Sequence, residues 1–131
     1  MNTKLGKILA EISAGELIDK ITILEIKKIK INDSSKQKEV NKELSSLNNT
    51  LKKFIPDISL IEKQKNELKN INLRLWDIEN GKRKAEKLNN FGEDFIKLAR
   101  EVYKANDLRA KTKLEINNIL GSNIVEVKSH D

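Results

Sequence analysis

Apolar residues recur every three or four positions along most of this chain, and that spacing constrains its fold more than any other feature. Between Val40 and Phe54 they fall at intervals of 4, 3, 4 and 3 residues, which places them on one face of an α-helix. The chain contains a single proline, Pro56, so few positions interrupt a helix. The pattern predicts an all-α protein.

The first two of four predicted helices begin at capping residues. The first follows a capping box formed by Ser13 and Glu16 and extends to about Asn32. Its apolar residues cover more than one face, which predicts a central position. The second begins with Ser34 as a candidate cap and ends at Pro56, and its polar flanks predict a solvated outer helix.

The other two helices are longer. The third restarts at Asp57 or Ser59, and its apolar spacing favours a continuous helix through Asn80-Gly81 over a turn at that point. A stronger break follows near residue 90, where Asn90 is a candidate cap for the fourth helix. Gly121 is expected to end the fourth helix.

These helices predict an elongated antiparallel bundle built from two helical hairpins. At about 1.5 Å per residue, the third and fourth helices would each span about 40 Å. Residues 4–12 and 124–128 are predicted to be short extended N- and C-terminal tails that are able to pair. A single domain over residues 1–131 is expected, because a hydrophobic content of 37% supplies one modest core.

Composition excludes several classes of chemistry. The chain has no cysteine, which excludes disulfides, thiolate zinc sites and cysteine nucleophiles. Its five glycines are isolated, so no glycine-rich phosphate loop exists. Apolar runs never exceed three residues, against about 20 for a membrane span, so we expect no membrane insertion and a cytoplasmic location.

The net charge of +6 suits an anionic partner, because lysines near phosphates release counterions. However, only four of the 26 basic residues are arginine, and base-specific contacts depend on arginine. Specific nucleic-acid binding is therefore not expected, and nonspecific binding through lysine ranks third among the hypotheses.

Three segments resemble a small bacterial and phage domain family of unknown function. They are GELIDKITILEIKKIKI at 15–31, LRLWDIENGKRKAE at 73–86, and FIKLAREVYKANDLRAKTKLEINNILGSNIVEVKSH at 95–130. Residues 33–56 lie outside the resemblance and look like the variable hairpin of that family. The resemblance implies no established activity. The resemblance also implies a link to surface-glycan assembly, because the genes of some family members lie near genes for that process.

A polar stripe lies beside the apolar stripe of the fourth helix. If it packs against the first or third helix, a polar cleft forms in which a basic group clamps an anion and an aromatic ring stacks on a planar ligand. The alternative interpretation is a set of interhelical salt bridges that fix the register. The candidate residues are Glu16, Asp19, Lys20, Trp76, Asp77, Glu79, Arg100, Tyr103, Asn106, Asp107, Arg109, Lys113 and Asn117.

One pair of acidic residues has the spacing of a magnesium site. Glu16 and Asp19 have the one-turn spacing with which helical hydrolases hold Mg²⁺, so they are weak candidate ligands. A second pair is missing, because Asp77 and Glu79 are two residues apart and point to different sides of a helix. A small metal-dependent hydrolase of a nucleotide or other phosphorylated substrate is therefore the alternative hypothesis, with Mg²⁺ as its cofactor.

The leading hypothesis is a non-enzymatic interaction or ligand-binding module that uses the polar face between the first, third and fourth helices. No cofactor is expected under this hypothesis, and the partner would be a protein or a small anionic ligand. A homodimer is expected as well, because elongated helices with apolar residues on more than one face seldom bury them alone.

Overall fold

The computed structural model describes residues 4–130, and helices dominate this part of the chain. The helices are α1 (Ala14–Lys30), α2 (Ser34–Phe54), α3 (Glu62–Lys87) and α4 (Glu93–Leu120), with a short 3-10 helix at Ile58–Ile61 before α3. Residues 4–130 contain no strand. The all-α prediction is therefore confirmed. The predicted domain over 1–131 includes residues 1–3 and 131, which lie outside the described part, and it stays a prediction.

Helix α1 is central, as its apolar residues predicted, because it packs against α2, α3 and α4. One core cluster joins Leu17, Ile21 and Leu24 of α1 to Val40 and Leu44 of α2. A second cluster contains Ile18, Ile61, Leu68 and Ile116, all fully buried. Burying each of these side chains contributes about 2 kcal/mol.

Helix α2 is the outer helix, and only Val40 and Leu44 among its 21 residues are buried. Its cap differs from the prediction, because the Asp33 carboxylate, and not Ser34, accepts the Lys36 amide at 2.9 Å. Gln37 then donates its side-chain amide to the Lys28 carbonyl at 2.7 Å, where the end of α1 lacks helical partners.

Helices α3 and α4 form the longer hairpin, about 39 and 42 Å in length. Helix α3 is continuous through Gly81, as predicted, and Leu98 of α4 packs close to this glycine. Helix α4 is preceded by Gly92 as its cap. The prediction of Asn90 was wrong, because the Asn90 side chain accepts the Gly92 amide at 3.3 Å within the connecting turn. Gly121 ends α4 in the left-handed region at φ 64°, as expected.

Two non-helical segments flank the bundle: the leading segment (residues 4–12) and the trailing segment (residues 123–130). They are non-helical, as predicted, but they form no strand ladder within the described residues. Instead they meet through side chains, since Asn123 donates to the Glu11 carboxylate at 2.6 Å and Ser13 donates to Glu126. The trailing segment is therefore tied to the start of α1.

Candidate ligand-binding cleft between α1, α3 and α4

A buried ion pair joins α1 to α4. Asp19 is fully buried, and the Nε atom of Arg109 lies 3.0 Å from both of its carboxylate oxygens. The Nη2 atom of Arg109 also donates to Asp19 Oδ2. These hydrogen bonds raise the pKa of the Arg109 guanidinium, against the opposing effect of burial. The pair fixes the orientation of a guanidinium, because both partners are planar.

Polar groups of α1 and α3 complete the surroundings of Asp19. The side-chain amide of Asn72 donates to Asp19 Oδ1 and to the Thr22 hydroxyl, both at 2.9 Å. Thr22 in turn donates to the Asp19 backbone carbonyl at 2.8 Å. A carboxylate inside a protein requires such partners, since unpaired burial of a charge is costly. Asp19 is thus held by three helices at once.

A second charged network lies one turn closer to the start of α1. Lys113 of α4 contacts the Glu16 carboxylate at 2.5 Å and the Glu126 carboxylate at 2.9 Å. Burial lowers the pKa of Lys113, but the hydrogen bonds to the two carboxylates outweigh it and the net shift is upward. Burial likewise raises the pKa of Glu126, and hydrogen bonds from Ser13 and Lys113 reverse this to a net lowering.

The N-terminus of α1 is closed to an external anion by the protein itself. The Ala14 amide donates to the Ser122 hydroxyl at 3.0 Å, and the Gly15 amide donates to Asn117 Oδ1 at 2.6 Å. The Glu16 amide donates to the Ser13 hydroxyl at 3.0 Å. Free amides at a helix start are a common anion site, but here they already have acceptors.

A cleft of about 400 Å³ opens beside the buried ion pair, between α1, α3 and α4. Its volume falls within the range of small-molecule sites. Arg109 of α4 lines one side of the cleft, and the half-buried Trp76 and the exposed Arg83 line the side that belongs to α3. The lining residues are Ile23, Ile26, Asn72, Leu75, Trp76, Glu79, Asn80, Arg83 and Arg109.

The structure divides the predicted site residues into two groups. Those near α1 come together: Glu16, Asp19, Arg109, Lys113 and Asn117 lie at the α1–α4 contact, and Trp76 and Glu79 line the cleft. The exposed Lys20 lies beside this contact and pairs with Glu16 of its own helix at 3.8 Å. The others are exposed away from it: Asp77, Arg100, Tyr103, Asn106 and Asp107, of which Asp107 pairs with Lys128 at 3.1 Å. Asp77 and Asn106 are exposed because each lies next to a buried residue, Ile78 or Ala105, and consecutive residues point to different sides of a helix.

The sequence predictions missed four residues: Thr22, Asn72, Arg83 and Glu126. Asn72 carried a usable signal, since it lies four residues after the buried Leu68 and therefore on the same face of α3. Thr22 also follows its partner Asp19 by one helical turn. Arg83 carried the same kind of signal, since it lies four residues after Glu79 and seven after Trp76 and therefore on their face of α3. Glu126 carried none, because its placement depends on how the trailing segment packs against α1 and α4.

The metal-ligand prediction finds no geometric support. Within residues 4–130 no group of three or more His, Cys, Asp or Glu side chains is placed to hold a metal ion. Glu16 and Asp19 contact different cations, Lys113 and Arg109. In the same part of the chain, none of the helices is long and apolar enough to cross a membrane.

The fold and the cleft define an all-α protein. Its central helix lies between an outer helix and a long helical hairpin, and a buried charged network joins the central helix to the hairpin. A family of unknown function, DUF6165, matches residues 8–131, and the chain belongs to that family. This confirms the predicted membership of a helical family of unknown function. Curated proteins give no match to this chain, and neither do solved structures.

Proposed function

We propose that this protein is a non-enzymatic ligand-binding module, and that its cleft between α1, α3 and α4 takes a small anion that carries a planar ring. The observation that carries the proposal is the Arg109 guanidinium, which the buried Asp19 orients at the wall of the cleft. Asp19 engages the Nε and Nη2 atoms, and within residues 4–130 no hydrogen bond engages Nη1. The edge of the guanidinium group that carries Nη1 is available to an anion.

Arginine placement supports this assignment. The chain has four arginines, Arg74, Arg83, Arg100 and Arg109, against 22 lysines. Two of the four, Arg83 and Arg109, line the same cleft. Arginine suits phosphate or carboxylate groups, because its planar donors bind two oxygens at once. Two guanidinium groups that line one cleft, one from α3 and one from α4, would bind one anionic group together.

Trp76 supplies the second recognition element. It lines the cleft, is half-buried, and lies between Asn72 and Asn80 along α3. An indole ring offers a flat apolar surface on which a planar ring stacks. Asn80 adds an amide group that donates and accepts hydrogen bonds, whereas the N–H groups of the Asn72 side chain already donate to Asp19 and Thr22. A ring with an attached phosphate or carboxylate therefore fits the chemistry of the lining.

A thermal-shift screen tests the proposal. The panel contains nucleotides, sugar nucleotides and phosphorylated sugars, each with and without Mg²⁺ or Mn²⁺. A ligand at about 100 times its Kd adds about 2.7 kcal/mol, which raises the Tm of a domain of this size by several degrees. Arg83→Gln should abolish most of this rise, because it removes charge-assisted hydrogen bonds in the cleft.

Arg74→Gln is the matched control, because Arg74 is exposed on the same helix and does not line the cleft. The proposal is contradicted if no compound raises the Tm, or if Arg83→Gln and Arg74→Gln respond alike. A rise that requires Mg²⁺ together with a phosphorylated compound would favour the hydrolase instead.

The geometry gives less support to the two other hypotheses, a metal-dependent hydrolase and nonspecific binding of nucleic acid. The metal-dependent hydrolase has no supporting observation, since Glu16 and Asp19 are engaged by basic side chains. Nonspecific binding of nucleic acid would show an affinity that falls steeply with salt, and the same panel with an oligonucleotide at two salt concentrations checks it. A cytoplasmic location stays an expectation of the sequence.

A further inference from the structure

The leading segment carries three apolar side chains that make almost no contact with the bundle. Leu5 and Ile8 are each 81% exposed and Leu9 is 87% exposed. Residues 4–12 also make no backbone–backbone hydrogen bond within the described chain. Such a cluster of exposed apolar residues on an unpaired extended segment is typical of an interaction surface.

A large groove lies beside this segment, with a volume of about 850 Å³. It is formed where the end of the leading segment and the start of α1 meet the end of α2, the following turn and the end of α4, and its apolar lining includes Phe54, Pro56, Leu60 and Leu120. Phe54 and Leu60 remain 68% and 60% exposed. The groove is therefore an apolar surface without a partner in the described chain.

We propose that the leading segment of a second copy of this chain fills the groove, so that two copies exchange these segments reciprocally. This assigns a surface to the homodimer that the sequence predicted. The contact is closed and symmetric, because each copy supplies one segment and one groove. It goes beyond ligand binding in the cleft, since the groove shares no lining residue with that cleft.

Charge supports the choice of occupant. The first half of the leading segment carries Lys4 and Lys7 beside Leu5 and Ile8, whereas two acidic residues line the groove: Asp57 and, from the end of the same segment, Glu11. The apolar and basic stretch at residues 4–8 thus matches a groove that is apolar and has acidic residues in its lining.

Position argues against each segment filling its own groove. Leu9 already lies at the rim of the groove of its own copy, yet it remains 87% exposed. Ile12 and Ser13, which connect the segment to α1, form part of the same rim. Residues 9–12 of the segment therefore lie along the groove of their own copy, whereas Leu5 and Ile8 do not line it and stay exposed to a second copy.

Sedimentation equilibrium on the full chain and its variants tests this proposal. We expect the wild type to dimerise, and Leu5→Ser/Ile8→Ser to raise the dimer Kd by at least about tenfold, because it removes the inserted apolar groups. The control Leu88→Ser/Phe91→Ser removes exposed apolar side chains at the α3–α4 connection and should leave the Kd unchanged. Circular dichroism checks that every variant is folded.

Disulfide trapping identifies the occupant, since the chain has no cysteine of its own. A mixture of Ile8→Cys and Leu60→Cys chains should form a disulfide-linked pair of doubled mass. The proposal is overturned if the wild type is monomeric at all concentrations, or if the serine variant dimerises as tightly as the wild type. It is also overturned if the double variant Ile8→Cys/Leu60→Cys closes a disulfide within one chain at high dilution.

Discussion

At the scale of single residues, the Asp19 side chain connects α1 to both α3 and α4. Its carboxylate is fully buried, and burying a charge costs several kcal/mol unless partners offset it. Arg109 and Asn72 provide those partners from two other helices. The same bonds that satisfy Asp19 also orient Arg109 toward the cleft. The salt-bridge interpretation and the binding interpretation of these residues are therefore compatible.

Replacing Arg109 should expose the cost of that burial. Arg109→Gln leaves the Asp19 carboxylate without its cation, so we expect the free energy of unfolding to fall by about 3 kcal/mol. Urea denaturation measures the loss. The control is Arg100→Gln, an exposed site on the same helix that should change stability by less than about 0.5 kcal/mol. A loss below about 1 kcal/mol for Arg109→Gln would show that the pair contributes no more to stability than an ordinary surface salt bridge.

Both ends of this pair were selected from the sequence as candidate site residues, but their pairing was not predicted. They lie 90 positions apart, and only the packing of α4 on α1 brings them together. Asn72 was missed for the related reason that an amide gains its role only when a buried carboxylate lies opposite. Sequence patterns could therefore predict residue types for the site and not their partners.

At the scale of elements, the contact between α1 and α4 depends on a close approach at Gly15. A Cβ atom there would lie 2.5 Å from the Lys113 backbone carbonyl oxygen, a distance that real Cβ atoms do not tolerate. Because a backbone atom cannot rotate aside, the two helices would have to separate. Gly15 thus allows the hydrogen bond between its own amide and Asn117.

Gly15→Ala should consequently lower the free energy of unfolding by about 1–3 kcal/mol, the usual cost of overpacking. Gly81→Ala is a matched control within another helix, since its Cβ would meet only Leu98 Cδ1, at 3.1 Å. That side chain can shift, and alanine favours a helix by up to about 1 kcal/mol over glycine. We expect the control to be neutral or stabilising. Equal losses from both variants would contradict the close-approach argument.

The attachment of the trailing segment to α1 should depend on pH through Glu126. Its folded pKa lies below the ordinary value of 4.5, so ionised Glu126 stabilises the folded state above that pH. This stabilisation is lost as the pH falls through the folded pKa. Thermal unfolding between pH 3 and 7 should show Glu126→Gln less stable than wild type near neutrality, with the difference vanishing in acid. Glu86→Gln, at an exposed site, is the control. Identical pH profiles for all three proteins would show that Glu126 does not stabilise the attachment of the trailing segment.

Helix positions could be predicted because they follow from local spacing, and all four helices are where the pattern placed them within a few residues. Two caps were assigned wrongly, at Ser34 and Asn90, because neighbouring residues offered competing local hydrogen bonds. The extent of the polar face was overestimated as well. Tyr103 and Arg100 fit its spacing, but both side chains are exposed, because spacing along one helix does not show which part of that helix a second helix covers.

At the scale of the whole molecule, a short central helix lies on a longer hairpin. Helix α1 covers part of the α3–α4 hairpin, and the cleft opens beside the ion pair that joins them. The outer helix α2 contributes to a separate surface, the apolar groove, which shares no lining residue with the cleft. The molecule thus carries two distinct surfaces, a cleft suited to a small anion and a groove suited to a second copy.

The fluorescence of Trp76 tests the central claim most directly, because it is the only tryptophan in the chain and it lines the cleft. The compound that raises the Tm most is titrated into wild type, Arg83→Gln and Arg74→Gln. The account predicts a saturable change in emission for wild type and Arg74→Gln, and an affinity about tenfold weaker for Arg83→Gln. Saturable binding that leaves the Trp76 emission unchanged, or equal affinities for the two arginine variants, would contradict it.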